Sequence, residues 1–212
     1  MTKFTNWDDY YSKPYVAAAY TRRISTRILI RNIKKYTNKN TKLKIAELGG
    51  ANSCFYKDVQ EEILPEEYYI FDNNQLGLNK TKERIKNQNL TLVEADVLSL
   101  QFNLQFDLVF SVGLIEHFGS QDTIKAIKSH FSILKPGGIA IISYPTPTIL
   151  YKITRFLSEV AGMWIFHDER PIRKKEVLAI SRRYSRLINE KIIWSIFLTQ
   201  QMLVMEKFNA DE

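Results

Sequence analysis

The sequence predicts an α/β fold: a doubly wound, mostly parallel seven-stranded sheet with an antiparallel C-terminal strand, a helical N-terminal segment and a helical insertion after the fifth strand. Three observations carry that prediction. Between residues 43 and 144, short apolar runs alternate with amphipathic runs of helix length. The first apolar run ends in an acidic residue and a double glycine, Glu47 then Gly49–Gly50. Residues 188–208 hold two β-rich runs joined by a short link, an antiparallel pair closing the sheet edge.

The elements follow in order. "LKIAEL" (43–48) is a buried strand ending in a glycine turn, and "SCFYKDVQEEIL" sets Phe55, Val59 and Ile63 on one helical face, with Asn52 or Ser53 able to cap it. "EYYIFD" is the second strand, closing on Asp72, and a polar helix follows it. "LTLVEAD" and "FDLVFSVG" are the third and fourth strands. The helix "SQDTIKAIKSHFSIL" carries Ile124, Ile127, Phe131 and Leu134 near a 3.6 period and is expected to stop at Pro136-Gly137-Gly138. "IAIISYP" is the fifth strand. Residues 145–186 then break the alternation with a helical insertion.

Composition narrows the class. The 212 residues are 45% apolar and 25% charged, ordinary globular values that suit one domain. No charge-free apolar run reaches membrane-spanning length, and "MTKFTNWDDYYSKPY" lacks the apolar core of a signal peptide. The single cysteine, Cys54, excludes an intrachain disulfide, suits a reducing cytoplasmic compartment and reads as a small buried hydrophobe. The net charge of +7 is uneven: +8 over residues 1–42, −4 over 43–144, +4 over 145–190 and −1 over the rest. An acidic middle between basic flanks points to an anionic partner or to basic faces in solvent.

In doubly wound sheets the ligand sits beyond the carboxyl ends of the strands, where the strand order reverses. The strand-end residues Glu47, Asp72, Asp96, Ser111, Val112, Gly113 and Tyr144 are therefore the functional candidates. Asp72 follows Gly49 by 23 residues, near the spacing at which a carboxylate takes both hydroxyls of a ribose. Ala51 and Ser53 place side chains where a pyrophosphate needs bare backbone. Together these describe an adenosine ligand with a cationic end and no obligate phosphate.

The order "AELGGANS … IFD … EAD … FDLVFSVGLIEHF … LKPGGIAIIS" resembles the class I S-adenosylmethionine-dependent methyltransferases, strongly over residues 43–145. Glu47 and Gly49 match the family's first motif, while Ala51 and Ser53 replace its later glycines. The resemblance implies S-adenosylmethionine as cofactor and S-adenosylhomocysteine as product. Glu47 and the Gly49–Gly50 backbone, with Ala51 and Asn52, would hold the methionine part. Asp72 and Asn73 would take the ribose, Asp96 and Val97 the adenine, and Ser111 to Gly113 the floor near the sulfonium. The resemblance also implies one methyltransferase domain over 1–212: an N-terminal lid (1–42), a cofactor core (43–144), a substrate-side insertion (145–186) and a closing β pair (187–212).

Methyl transfer to a hydroxyl needs a base, and three histidines are available. His130 lies inside an amphipathic helix and reads as structural. His117, after Glu116 at the end of the fourth strand, and His167, beside Asp168 and Glu169, are the two candidates. Tyr10, Tyr11 and Tyr15 can reach the sulfonium from the lid, and Glu116, Tyr144, Asp168 and Arg170 are expected on the substrate side; no metal is expected. The apolar residues of 145–186 suit an active-site cover, a dimer contact or a peripheral membrane contact. The expected acceptor is small, polar and anionic or phosphorylated: a sugar, a nucleotide sugar or a lipid-linked glycan precursor, by a weak likeness of "YPTPT … FHDERP" to methyltransferases of bacterial surface-polysaccharide synthesis. The basic balance leaves an RNA methyltransferase as an alternative. "SVGLIEHF" lacks the Asn/Asp-Pro-Pro-aromatic motif used on exocyclic base amines, however, and no RNA-binding module is visible. A non-catalytic scaffold that kept the fold is the third reading.

Overall fold

The computed structural model describes residues 4–12, 17–38 and 41–209. Helices α1 (Trp7–Ser12) and α2 (Ala17–Tyr36) precede β1 (Lys44–Leu48), α3 (Tyr56–Ile63), β2 (Glu67–Asp72), α4 (Gln75–Arg84), β3 (Leu90–Glu94) and β4 (Phe106–Val112). A 3-10 turn (Ile115–His117), α5 (Ser120–Ser132), β5 (Leu134–Pro145), α6 (Ile149–Val160), α7 (Lys174–Ser181), β6 (Ser185–Ile193) and β7 (Gln200–Lys207) follow.

The seven strands form one sheet in the order β3-β2-β1-β4-β5-β7-β6. The first five run parallel, with Ala46 in register with Tyr69 on one side and Val109 on the other. β7 is antiparallel to both its neighbours, Ile142 of β5 facing Leu203, so β6 returns to the direction of the first five. Alternating side chains divide the core in two. Ile45, Ile70, Leu108 and Phe110 pack against α2 and α3 through Leu29, Ile33 and Val59. Ala46, Phe71, Val109 and Ile142 pack against α5 and α7 through Ile127, Phe131 and Val177. The strand order reverses between β1 and β4, which opens a crevice at their carboxyl ends.

One local expectation is overturned. Pro136-Gly137-Gly138 does not cap α5 from outside: the helix ends at Ser132, and the three residues lie inside β5. Lys135–Gly138 fall between the pairs Phe106–Leu134 and Leu108–Ile139, a bulge that Gly137 allows with φ of +70°. The proline needs no ladder donor there, and the Lys135 ammonium reaches Asp107 of β4 at 2.6 Å. No helix among the described residues is long and apolar enough to cross a membrane.

Candidate active site

A cavity of about 790 Å³ occupies the crevice at the carboxyl ends of the parallel strands. The loops after β1 to β5 line its floor, and residues 163–166, Asp168, Glu169, the β6–β7 loop and α1 and α2 line the rest.

The β1 end of the cavity is built around two glycines and two buried carboxylates. Gly49 takes φ of +73° and donates its N–H to the Phe71 carbonyl at 2.8 Å, turning the chain sharply off β1. A Cβ on Gly50 would lie 2.5 Å from the Glu47 carboxyl, so bare backbone is required there. Glu47 is 3% exposed, and its Oε2 accepts from Tyr68 Oη at 2.6 Å and Ser53 Oγ at 2.7 Å. Burial pushes its pKa up to about 7 against these two hydrogen bonds. Ser53 Oγ also accepts from the N–H groups of Phe55 and Tyr56, both at 3.1 Å, and so satisfies the start of α3. The residue that replaces a family glycine thus ties the turn, the acid and the helix together.

Asp72 ends β2 with both carboxylate oxygens engaged: Oδ2 accepts from Ala51 N at 3.0 Å and Oδ1 from Asn74 N at 2.8 Å. Burial raises its pKa despite those bonds. Asn52, Asn73, Asp96, Val97, Val112 and Gly113 line the same cavity. Ala51 does not; it is fully buried behind the turn, where it faces Gly77 of α4, and a Cβ on that glycine would lie 2.6 Å from the Ala51 methyl. Ser111 is also off the cavity. Its Oγ meets His130 Nε2 at 2.8 Å in the core, and His130 Nδ1 meets the Ala126 carbonyl at 2.8 Å. Burial lowers the His130 pKa to about 4, so it is a neutral structural imidazole.

The opposite end is aromatic and acidic. His117 Nδ1 meets Asp168 Oδ1 at 3.0 Å, and Asp168 also accepts from the backbone N–H and the hydroxyl of Thr5. Burial lowers the His117 pKa, but Asp168, Glu116 and Glu169 outweigh it, and the net shift is upward. Burial likewise raises Asp168, and the hydrogen bonds from His117 and Thr5 prevail, taking it down to about 2. Glu116 is 2% exposed, and its Oε2 has no hydrogen-bond partner among the described residues; burial pushes its pKa up to about 8. Glu116, His117 and Glu169 each bring one ligand-capable atom within 4.8 Å of the others. Trp7, Tyr10 and Phe166 close over this cluster, the Trp7 ring meeting the His117 ring edge-on at 4.8 Å.

Helix α1 reaches across the cavity. Asp8 accepts from Asn74 Nδ2 at 2.7 Å, Thr5 holds Asp168, and Tyr11 lies beside Gly77. Tyr10 and Tyr11 both line the cavity, whereas Tyr15 lies outside the described residues.

Three substrate-side expectations are corrected. His167 is exposed and off the cavity, and its neighbour Asp168 orients His117 in its place. Tyr144 is fully buried in the core facing α5 and α7, because strand alternation turns it away from the crevice. Arg170 is off the cavity, pairing with Glu176 at 2.6 Å and donating to Thr123 Oγ1 at 3.0 Å. Two details were not anticipated. Cys54 is half-buried on the cavity wall, burial pushing its thiol up to about 12. Arg22 is the one Lys or Arg lining the cavity among the described residues, donating to Tyr10 Oη, so the wall is predominantly acidic.

Residues 45–138 match a family model described as "Methyltransferase domain". The curated 2-methyl-6-phytyl-1,4-hydroquinone methyltransferase 2, chloroplastic, of Oryza sativa subsp. japonica is 29% identical over 126 residues, 58% of this chain and 34% of that protein. This chain thus spans about a third of that relative's length. Among solved structures, magnesium protoporphyrin IX methyltransferase from Synechocystis PCC 6803, with S-adenosylhomocysteine bound, aligns over 95% of this chain and 92% of its own, with TM-score 0.73 and 12% identity. The N-methyltransferase NodS from Bradyrhizobium japonicum WM9, also with S-adenosylhomocysteine, aligns over 85% and 86%, with TM-score 0.64 and 12% identity. At such identity these likenesses establish the fold. The family match spans the strands and turns that build the cavity floor, so residues 45–138 are similar to methyltransferase domains, and the chain shares its fold with methyltransferases crystallised with S-adenosylhomocysteine.

Proposed function

We propose that this protein transfers a methyl group from S-adenosylmethionine to a hydroxyl of a small polar acceptor, a sugar, nucleotide sugar or lipid-linked glycan precursor. The residues present fit that cofactor. Gly49 and Gly50 bring bare backbone to the cavity wall, and Glu47 offers a carboxylate to a cationic amino group. Asp72 and Asn73 suit ribose hydroxyls, and Asp96 with Val97 suits an adenine edge. When bound, S-adenosylmethionine supplies a methyl carbon already activated by its sulfonium, so the leaving group needs no acid.

The chain's own task is to seat the acceptor, remove its proton and exclude water. The pair His117–Asp168 is the observation that carries the reading. Asp168 keeps the proton of His117 on Nδ1 and leaves Nε2 to take the acceptor's proton; the ionised carboxylate then steadies the imidazolium. Glu116, with its free Oε2, and Glu169 receive hydroxyl groups, while Trp7, Tyr10 and Phe166 give flat apolar faces for a sugar ring. An acidic wall disfavours phosphate inside the cavity, so the anionic part of a phosphorylated acceptor stays at the mouth. In this reading residues 1–42 act as a lid, 43–144 bind the cofactor, 145–186 bind the acceptor, and 187–212 close the sheet.

The test is calorimetric titration of the protein and of Asp72→Ala with S-adenosylmethionine and S-adenosylhomocysteine, with NAD as control. Saturable binding of the first two, lost in the variant and absent for NAD, supports the reading and leads to an acceptor screen with sugar nucleotides and lipid-linked sugars. A folded wild type that binds neither overturns it in favour of a scaffold.

A further inference from the structure

Helix α6 is built inside out. Ile149, Ile153, Phe156, Leu157 and Val160 recur at i, i+4, i+7, i+8 and i+11, one continuous apolar stripe of the kind that normally faces a core. Here the stripe faces solvent, with exposures of 79%, 53%, 63%, 59% and 71%. The opposite face is the one that packs. Tyr151 is buried and bonded to Glu169, and Arg155 stacks on Trp164 at 4.8 Å and donates to the Glu169 carbonyl. The apolar surface extends past the helix. Met163 is exposed just beyond its end, and the β6–β7 loop with the exposed Trp194 and Phe197 is tied to its start by Thr148 Oγ1 and Thr199 Oγ1 at 2.6 Å. A contiguous apolar patch of this kind marks an interaction surface.

We infer that this face docks the protein peripherally on an anionic lipid bilayer, with α6 lying in the plane of the interface and the cavity mouth toward the lipid. Two features select a bilayer over a second copy of the chain. The first is charge. Lys152 flanks the stripe, and the exposed Arg23, Arg27 and Arg31 share one outward face of α2, opposite the buried Ser25. The exposed Lys152 beside the apolar stripe and the basic outer face of α2 complement anionic headgroups, whereas a two-fold contact through the same face brings no opposite charge to Lys152. The second is continuity with the cavity. Phe4 and Met163 are exposed on the surface and also line the cavity, so an acceptor carrying a lipid tail reaches the floor without crossing water. The docking goes beyond the acceptor chemistry proposed above; the continuity argument rests on a lipid-linked acceptor, the surface argument does not.

The test is sedimentation of the full chain with vesicles of phosphatidylcholine alone and of phosphatidylcholine with an equal share of phosphatidylglycerol. The comparison variant is I153E/F156E, whose altered side chains touch neither the cavity nor the core. Binding to the anionic vesicles, weakened by salt and reduced at least 10-fold in the variant, supports the proposal. No binding by the folded wild type overturns it, as does binding that the variant retains. A concentration-dependent dimer in sedimentation velocity without vesicles, abolished by the variant, also overturns it and assigns the face to self-association. Calorimetric titration with S-adenosylmethionine, run on the same samples, separates failure of docking from failure of the methyltransferase reading.

Discussion

His117 and Asp168, 51 residues apart in the chain, meet at 3.0 Å between Nδ1 and Oδ1 on the cavity wall. Neither lies on a regular strand or α-helix. The 3-10 turn after β4 presents the histidine, and the backbone bond from Arg170 N to the Glu116 carbonyl, 2.9 Å, draws the insertion against that turn. Thr5 fixes Asp168 from the other side, so the pair is completed by the segment that leads into α1.

The pair predicts a pH profile. A base must be neutral to act, so turnover rises with pH as His117 loses its proton. Asp168→Asn removes the charge that favours the imidazolium, so this limb moves to lower pH, while the maximal rate falls about 10² to 10⁴-fold with the loss of tautomer control. The stability effect has its own window. His117 is raised above 6.5, so its contribution is full below that value and is lost as pH rises through the folded pKa. Asp168 is lowered from 3.8 to about 2, so its contribution is present above 3.8 and is lost as pH falls toward 2. Denaturation of wild type and Asp168→Asn should therefore differ most between those limits. A pH–rate profile unchanged in the variant removes His117 from the base role.

Binding of the cofactor should release a proton from Glu47. Burial holds that acid at about 7, so a large share of the molecules carry it protonated near neutrality. A cationic amino group beside it favours the carboxylate. Affinity for S-adenosylmethionine is expected to climb about 10-fold between pH 6 and pH 8, the factor by which the ionised share grows. Calorimetry at pH 6.5 in buffers of different ionisation enthalpy counts the released proton. Glu47→Gln should flatten the pH dependence and abolish the release; a slope that survives the change places the titrating group elsewhere.

The β1–β2 end of the candidate site was legible in the sequence because it is local. Glu47, Gly49, Gly50 and Asp72 stand at fixed distances from strand ends, and the strands themselves are marked by apolar runs. The rest of the cavity was not, because it depends on the faces that side chains take and on contacts between distant segments. Tyr144, expected on the substrate side, and Ser111, expected on the cofactor side, sit at strand ends, but alternation along β5 and β4 directs both into the core. His167 and Asp168 are adjacent in sequence, yet the insertion turns only Asp168 inward. The periodicity of α6 is plain in the sequence, whereas the direction of its apolar stripe is set by Tyr151 and Arg155 bonding to the 164–169 segment. No local pattern records that choice.

His130 predicts acid lability independent of catalysis. The neutral imidazole bridges Ser111 and the Ala126 carbonyl, and its pKa falls from 6.5 to about 4 on burial. The unfolded chain takes up the proton first, so native stability falls as pH drops from 6.5 toward 4, by on the order of 3 kcal/mol at most. Replacing His130 by Gln keeps a polar side chain without the titration. Urea denaturation from pH 7 to pH 4 should show a shallower decline in the variant. Parallel declines would assign the acid sensitivity to other groups.

Gly50 and Tyr68 should be energetically coupled through Glu47. An alanine at 50 places its Cβ 2.5 Å from the Glu47 carboxyl, which must move off the hydroxyls of Tyr68 and Ser53. Gly50→Ala is therefore expected to lower cofactor affinity at least 10-fold and to cost about 1–3 kcal/mol of stability, the loss of hydrogen bonds to a buried acid. Tyr68→Phe alone removes one of those bonds and costs a similar order. In the double variant the tyrosine has already lost its partner, so its removal costs little more, and the two effects sum to less than their separate values. A double-mutant cycle by urea denaturation measures that shortfall. Strict additivity would mean that Glu47 keeps its bonds when Gly50 is replaced, and that the turn itself yields to make room for the methyl group.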